Sequence, residues 1–198
     1  MTGLAARIRD LIGLTLRDPR GALRALQAEQ VPLAARSAGL LLMAVLSTIL
    51  LQLGFALAPP GPDPVAGFLS QSPFQTAVVQ WLVLLFSAAL IYRVGRAFGG
   101  TGSVGDAILV VVWLQLIMLG VQLAQLLAFI LIPPFGGLLG LAGFCLFLWL
   151  SVNFIAELHG FRSLGLVFLG LILTTFAAIF AVAVVLSLVF GPGVLTNV

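Results

Sequence analysis

Residues 96–107 read RAFGGTGSVGDA, and Gly100, Gly102 and Gly105 among them form the pattern G-x-G-x-x-G. That pattern cradles the pyrophosphate of a dinucleotide when a strand delivers the chain to the glycines, a helix follows, and an acidic residue about 20 positions on meets the ribose. Here an apolar stretch precedes the glycines as well as following them, and the residues 20 positions beyond Gly105 belong to QLLAFIL. The context of a nucleotide fold is missing. The same residues build a tight reversal between two helices. Gly99 and Gly100 suit the positive φ that ends one helix, and Ser103 with Asp106 has the S-x-x-D form that opens the next.

Composition says what kind of helices these are. The chain is 62% hydrophobic and 8% charged, whereas a soluble domain carries roughly 25% charged residues. Five apolar runs, Ala38 to Ala58, Phe74 to Tyr92, Ala107 to Ile132, Phe135 to Ala156 and Leu164 to Phe190, come close to or exceed the roughly 20 residues a helix needs to cross about 30 Å of hydrocarbon. The expected fold is all-α, a polytopic membrane protein of five transmembrane helices. Ala56-Leu57-Ala58 imitates a signal-peptidase site, but Pro59 follows it and the preceding polar region is long, so the first span is expected to be retained.

The breaks between the runs are APPGPDP, RVGRAFGGTGSVGD, IPPFGG and ELHGFRS. All nine basic residues are arginine. Six precede the first span, Arg93 and Arg96 follow the second, and Arg162 follows the fourth. With five spans they fall on one side of the membrane, so the positive-inside rule sets the N-terminus in the cytoplasm and the C-terminal GPGVLTNV outside. Two units follow, a cytoplasmic amphipathic segment at 1–36 and a five-helix transmembrane domain at 37–198. Within the first, Leu4, Ile8, Leu11 and Ile12 share a helical face. Asp18 then reads as an N-cap with Pro19 at the first position of a second short helix, which carries Leu23 and Leu26 inward and Arg20 and Arg24 outward. Two such helices lie on the headgroups at the entrance to the first span.

Four glycines, Gly99, Gly100, Gly102 and Gly105, stand where one would end a helix, and close approach of another backbone is the expected reason. The neighbouring loop on the same side is ELHGFRS, which brings Glu157, His159 and Arg162 to the face of Arg93, Arg96, Ser103 and Asp106. Mutual pairing of these charges, or a site for a partner or headgroup, is the expectation there. Inside the spans, Gln115, Gln122 and Gln125 lie on one face of the third, with Gln80 and Asn153 in the second and fourth. Interhelical hydrogen bonds account for such residues, and a polar path for a small solute is the alternative. Gly136, Gly140 and Gly143 make a small-residue stripe suited to close packing, within the chain or between copies.

Chemistry has little to work with. Cys145 and His159 are the lone cysteine and histidine, so neither a disulfide framework nor a four-ligand metal site is available. Glu157 and His159 are two apart and point to different helix faces, and Ser103 and Ser163 lack the setting of a hydrolase nucleophile. No enzymatic activity, cofactor or nucleic-acid partner is expected.

The five spans, the glycine-rich FGGTGSVGDA between the second and third, and the short polar ELHGFRSLG between the fourth and fifth resemble the Yip1 domain family of small polytopic membrane proteins. LRDPRGALRAL is similar to the lead-in of its bacterial members, and the resemblance runs from about Leu16 to Leu188. It implies a membrane protein that works by association. The eukaryotic relatives act in vesicle trafficking, bind Rab-type GTPases and one another in Golgi and endoplasmic-reticulum membranes, and in some cases influence curvature. Those relatives usually carry a longer cytosolic N-terminal region, and the all-arginine, alanine-rich composition here is that of a GC-rich bacterium. The resulting expectation is a scaffold or adaptor of the bacterial inner membrane that binds proteins, lipids or a second copy of itself at its cytoplasmic face. A small solute or lipid transporter and an accessory subunit of a larger membrane complex are the alternatives.

Overall fold

A computed structural model describes residues 3–62 and 64–190. The C-terminal GPGVLTNV, expected outside, lies beyond the described residues. Eight helices and no strand occur among them: α1 (Leu4–Arg17), α2 (Pro19–Ala28), α3 (Leu33–Leu57), α4 (Pro64–Gln71), α5 (Pro73–Ala97), α6 (Val104–Leu131), α7 (Pro133–His159) and α8 (Leu164–Phe190). Of these, α3, α5, α6, α7 and α8 are long and apolar enough to cross a membrane.

The five spans were legible, but at the arginine-bearing end α3, α5, α6 and α7 run further than their apolar runs, while α8 starts with its run at Leu164. α3 starts five residues before Ala38, α5 continues through Arg93 and Arg96, and α7 continues through Glu157 to His159. Polarity ends the part of a helix that sits in lipid, whereas only a cap ends the helix itself. The caps are where the chain supplies them. Gly99 adopts φ +84°, with Gly100 N–H bonded to Gly95 O at 2.8 Å. Ser103 Oγ accepts from Asp106 N–H at 3.1 Å, and Gly160 closes α7 at φ +72°. With 28 residues, α6 is about 42 Å long at 1.5 Å per residue, about 12 Å more than the hydrocarbon requires.

α6 is the axis of the bundle. On one side Leu40, Met43 and Ala44 of α3 and Leu84 and Ala88 of α5 pack against its Val111 and Leu119. On the other, its Val110, Trp113, Leu114 and Ile117 meet Leu150, Phe154 and Leu158 of α7. The glycine stripe of α7 serves this second contact: a Cβ on Gly143 would stand 2.6 Å from Val121 Cγ1, and one on Gly140 2.9 Å from Gln125 Nε2. Packing within the chain therefore uses the stripe. α8 rests mainly on α7, with Val167 against Val152 and Ala156.

Two elements depart from the sequence reading. α4 occupies the connection after the first span, where only a break was expected. Its Leu69 carbonyl accepts from Gln52 Nε2 at 2.8 Å and Thr76 Oγ1 at 2.9 Å, tying α3, α4 and α5 together. The N-terminal pair is the second. Asp18 caps α2 as expected, accepting from Gly21 N–H at 2.9 Å, but α1 and α2 do not merely lie on the headgroups. Leu11, Leu23 and Leu26 enter the same core as Trp113 and Phe154, and buried Thr15 accepts a hydrogen bond from Trp113 Nε1 at 2.9 Å. The pair docks through α2, chiefly on α7 and to a smaller extent on α6.

Thr15→Val strands the Trp113 indole N–H, which costs about 1–3 kcal/mol for a buried donor without a partner. The melting temperature in lipid nanodiscs is expected to fall accordingly, and much of the fall disappears when Thr15→Val is placed in a Trp113→Phe background.

Candidate functional site

The glycines find their reason in one side chain. His159, the last residue of α7, is 2% exposed and inserts its ring into the turn between α5 and α6. Its Nε2 lies 3.0 Å from Ile91 O, and its Nδ1 accepts from Gly102 N–H at 3.3 Å. A carbonyl can only accept and an amide N–H can only donate, so the ring sits as the neutral Nε2–H tautomer with both nitrogens used. Phe161 stacks on it at 5.5 Å.

Three missing side chains make the space. A Cβ on Gly95 or Gly100 would fall inside the imidazole, and one on Gly102 would stand 2.7 Å from Leu158 Cγ and 2.9 Å from His159 Cε1. Gly95 was not singled out in the sequence. It lies outside the G-x-G-x-x-G pattern, though its position one turn before Gly99 on α5 is the signal that would have included it. Gly100 corrects another expectation: among the described residues positive-φ glycines are Gly99 and Gly160, so Gly99 alone turns the chain and Gly100 makes room. Gly105 belongs to a different contact, with Arg36 Nη1 3.3 Å from the position of a Cβ.

The charges gathered at this end do not pair with one another as expected. Asp106 Oδ1 takes Arg36 Nη1 at 2.8 Å and its Oδ2 accepts from Ser103 Oγ at 2.6 Å. Glu157 pairs with Arg24 at 2.9 Å, and Glu29 with Arg7 Nε at 2.9 Å. The carboxylates of α6 and α7 are thus held by arginines from α3 and α2, which the sequence reading left outside the site. Arg96 Nη1 donates to Gly100 O at 3.2 Å. Arg93 and Arg162 are exposed and have no acceptor among the described residues. Arg20, expected outward, is half-buried instead, and its Nε and Nη2 are buried with no partner among the described residues. It borders Leu23 on the docked face of α2, which is why it follows that side chain inward.

The glutamines divide. Gln115 donates to Ser47 Oγ at 2.6 Å and fastens α6 to α3, while Asn153 bonds within its own helix, to Trp149 O at 2.8 Å. Gln122 and Gln125 instead line a cavity of about 510 Å³ together with Gln80, Thr48, Phe55 and Phe129. It lies toward the end of the bundle away from the arginines, between α3, α5, α6 and the start of α7. No group of three metal-ligating side chains occurs among the described residues.

A family model described as the Yip1 domain matches residues 13–186. No curated protein and no solved structure matches the chain.

If the cradle exists to admit His159, then Gly99→Ala and Gly100→Ala differ in kind. The first strains a left-handed position by about 1–2 kcal/mol whatever His159 is. The second overpacks the ring and also His159 Cβ, 2.6 Å from the added methyl, at a typical cost of about 1–3 kcal/mol, and most of that loss is recovered by adding His159→Gly, which removes both. Thermal unfolding of the two single and two double variants separates them.

Proposed function

Because the chain belongs to the Yip1 domain family, we propose that it is a non-catalytic membrane scaffold or adaptor that binds a partner through its arginine-bearing face. Its spans and this face carry the proposal further. The arginines fit a cytoplasmic orientation of that face, and the arginine-only basic composition fits a bacterial inner membrane.

The observation that supports this reading best is the surplus of unanswered positive charge on a rigid platform. Arg7, Arg24 and Arg36 are ion-paired, whereas Arg93 and Arg162 have no acceptor among the described residues. Arg20 Nε and Nη2 are buried without an acceptor among the described residues. Leaving a guanidinium dry and unpaired is costly. A ligand that brings negative charge to this face, as an acidic protein segment or an anionic headgroup, finds its partners in the exposed Arg93 and Arg162. The platform is stiff because His159 locks the turn and the two ion pairs join α2 to α7 and α3 to α6.

The second reading, a transporter of a small solute or lipid, is favoured by the cavity beside Gln122 and Gln125. An intramembrane polar lining is what such a path requires.

Extraction with surrounding lipid, followed by mass spectrometry of every co-isolated protein and lipid, tests the scaffold reading. A variant carrying Arg93→Gln and Arg162→Gln is expected to lose the partner while its melting temperature is maintained. At about 1 kcal/mol per arginine near a charged surface, the two together weaken an anionic association about 30-fold. Unchanged co-isolation would overturn the reading, and a partner held in fixed stoichiometry would identify the chain as a subunit.

A further inference from the structure

The cavity between α3, α5 and α6 combines features that packing alone does not explain. Gln80, Gln122 and Gln125 have no hydrogen-bond partner among the described residues. Thr48, also on its wall, is 5% exposed, and its Oγ1 is buried without a partner. A helical threonine ordinarily bonds back to its own helix, as Thr15 does to Leu11 O at 2.8 Å. Thr48 is nine residues from the end of α3, and Gln122 and Gln125 are nine and six from the end of α6. At 1.5 Å per residue this polar ring sits about 9–14 Å below the helix ends, at a depth where water does not supply the missing bonds.

We propose that this cavity is a binding site for one uncharged lipid whose head carries a hydroxyl. The described lining favours an uncharged head, since among the described residues no arginine, histidine, aspartate or glutamate belongs to it, and an unpaired ion at this depth is costly. The amides of Gln80, Gln122 and Gln125 each donate and accept, which matches an alcohol and the ester carbonyls beside it. Around the polar ring the wall is apolar, with Leu51, Phe55, Leu126 and Phe129 placed to contact alkyl chain. The volume, about 510 Å³, falls within the range of sites that enclose a small ligand. Gly54 leaves it open: a Cβ there would meet nothing within 4 Å. The site lies at the opposite end from the arginines, so it stands or falls independently of a partner bound to them.

The test uses the full chain in phosphatidylcholine vesicles containing a diazirine-bearing diacylglycerol. On illumination, label is expected on residues 51–57 of α3 and 122–129 of α6. It is expected to be competed by excess unlabelled diacylglycerol but not by phosphatidylglycerol. Gly54→Phe, which fills the space, is expected to reduce site labelling at least five-fold. Gln122→Leu with Gln125→Leu, which removes two amides of the lining, is expected to raise the competing concentration about ten-fold. Label spread without competition over the outward faces of the spans would overturn the proposal. So would equal competition by phosphatidylglycerol, or site labelling that both variants leave intact.

Discussion

The end of α7 approaches the α5–α6 turn so closely that three residues there are left without side chains, and everything at the arginine-bearing end depends on that approach. His159 occupies the vacated volume and satisfies Ile91 O and Gly102 N–H at once. Thr101 N–H reaches His159 O at 3.4 Å, so backbone as well as ring closes the contact. The arrangement fixes how α5, α6 and α7 emerge from the bundle. In doing so it positions Asp106 and Glu157 for arginines that arrive from elsewhere in the chain.

Those arginines explain the N-terminal pair of helices. An amphipathic helix at a membrane surface has only its apolar face to hold it. Here Leu11, Leu23 and Leu26 are buried against α6 and α7, the Thr15–Trp113 hydrogen bond lies beneath them, and the Arg24–Glu157 pair clamps the rim. The result is a continuous platform rather than two loosely attached segments. At the far end polarity is arranged differently. α4 is tied to α3 and α5 through one carbonyl, and beyond it the glutamines surround unfilled space. Among the described residues, one end of the bundle is charged and closed, the other uncharged and hollow.

The sequence made the spans legible because the length of an apolar run is a direct measure of hydrocarbon thickness. It made the turn at Gly99 and the caps at Asp18 and Ser103 legible because those signals are local. Helix ends defined by the apolar runs fell short, since Arg93, Arg96 and Glu157 leave lipid without leaving the helix. α4 was invisible because eight residues are too few to establish a period. The partners of Asp106 and Glu157 were unreadable for another reason: Arg36 is 70 residues from Asp106, and no spacing rule reaches that far. Gln115, Gln122 and Gln125 share a face by arithmetic, yet only a facing Ser47 separates the first, which is bonded, from the other two. The glycines posed the right question, but their answer required knowing that a histidine 57 residues from Gly102 would meet them.

A single histidine allows a direct measurement of the central contact. In the chain labelled with 15N and held in lipid at neutral pH, magnetic resonance of the imidazole reports which ring nitrogen carries the proton, with no second histidine to confuse the assignment. The structure requires a protonated Nε2, a bare Nδ1, and a correlation between Nδ1 and the amide of Gly102. An imidazolium, or a ring protonated on Nδ1 with no proximity to Gly102, would contradict the account that the glycines exist to admit His159.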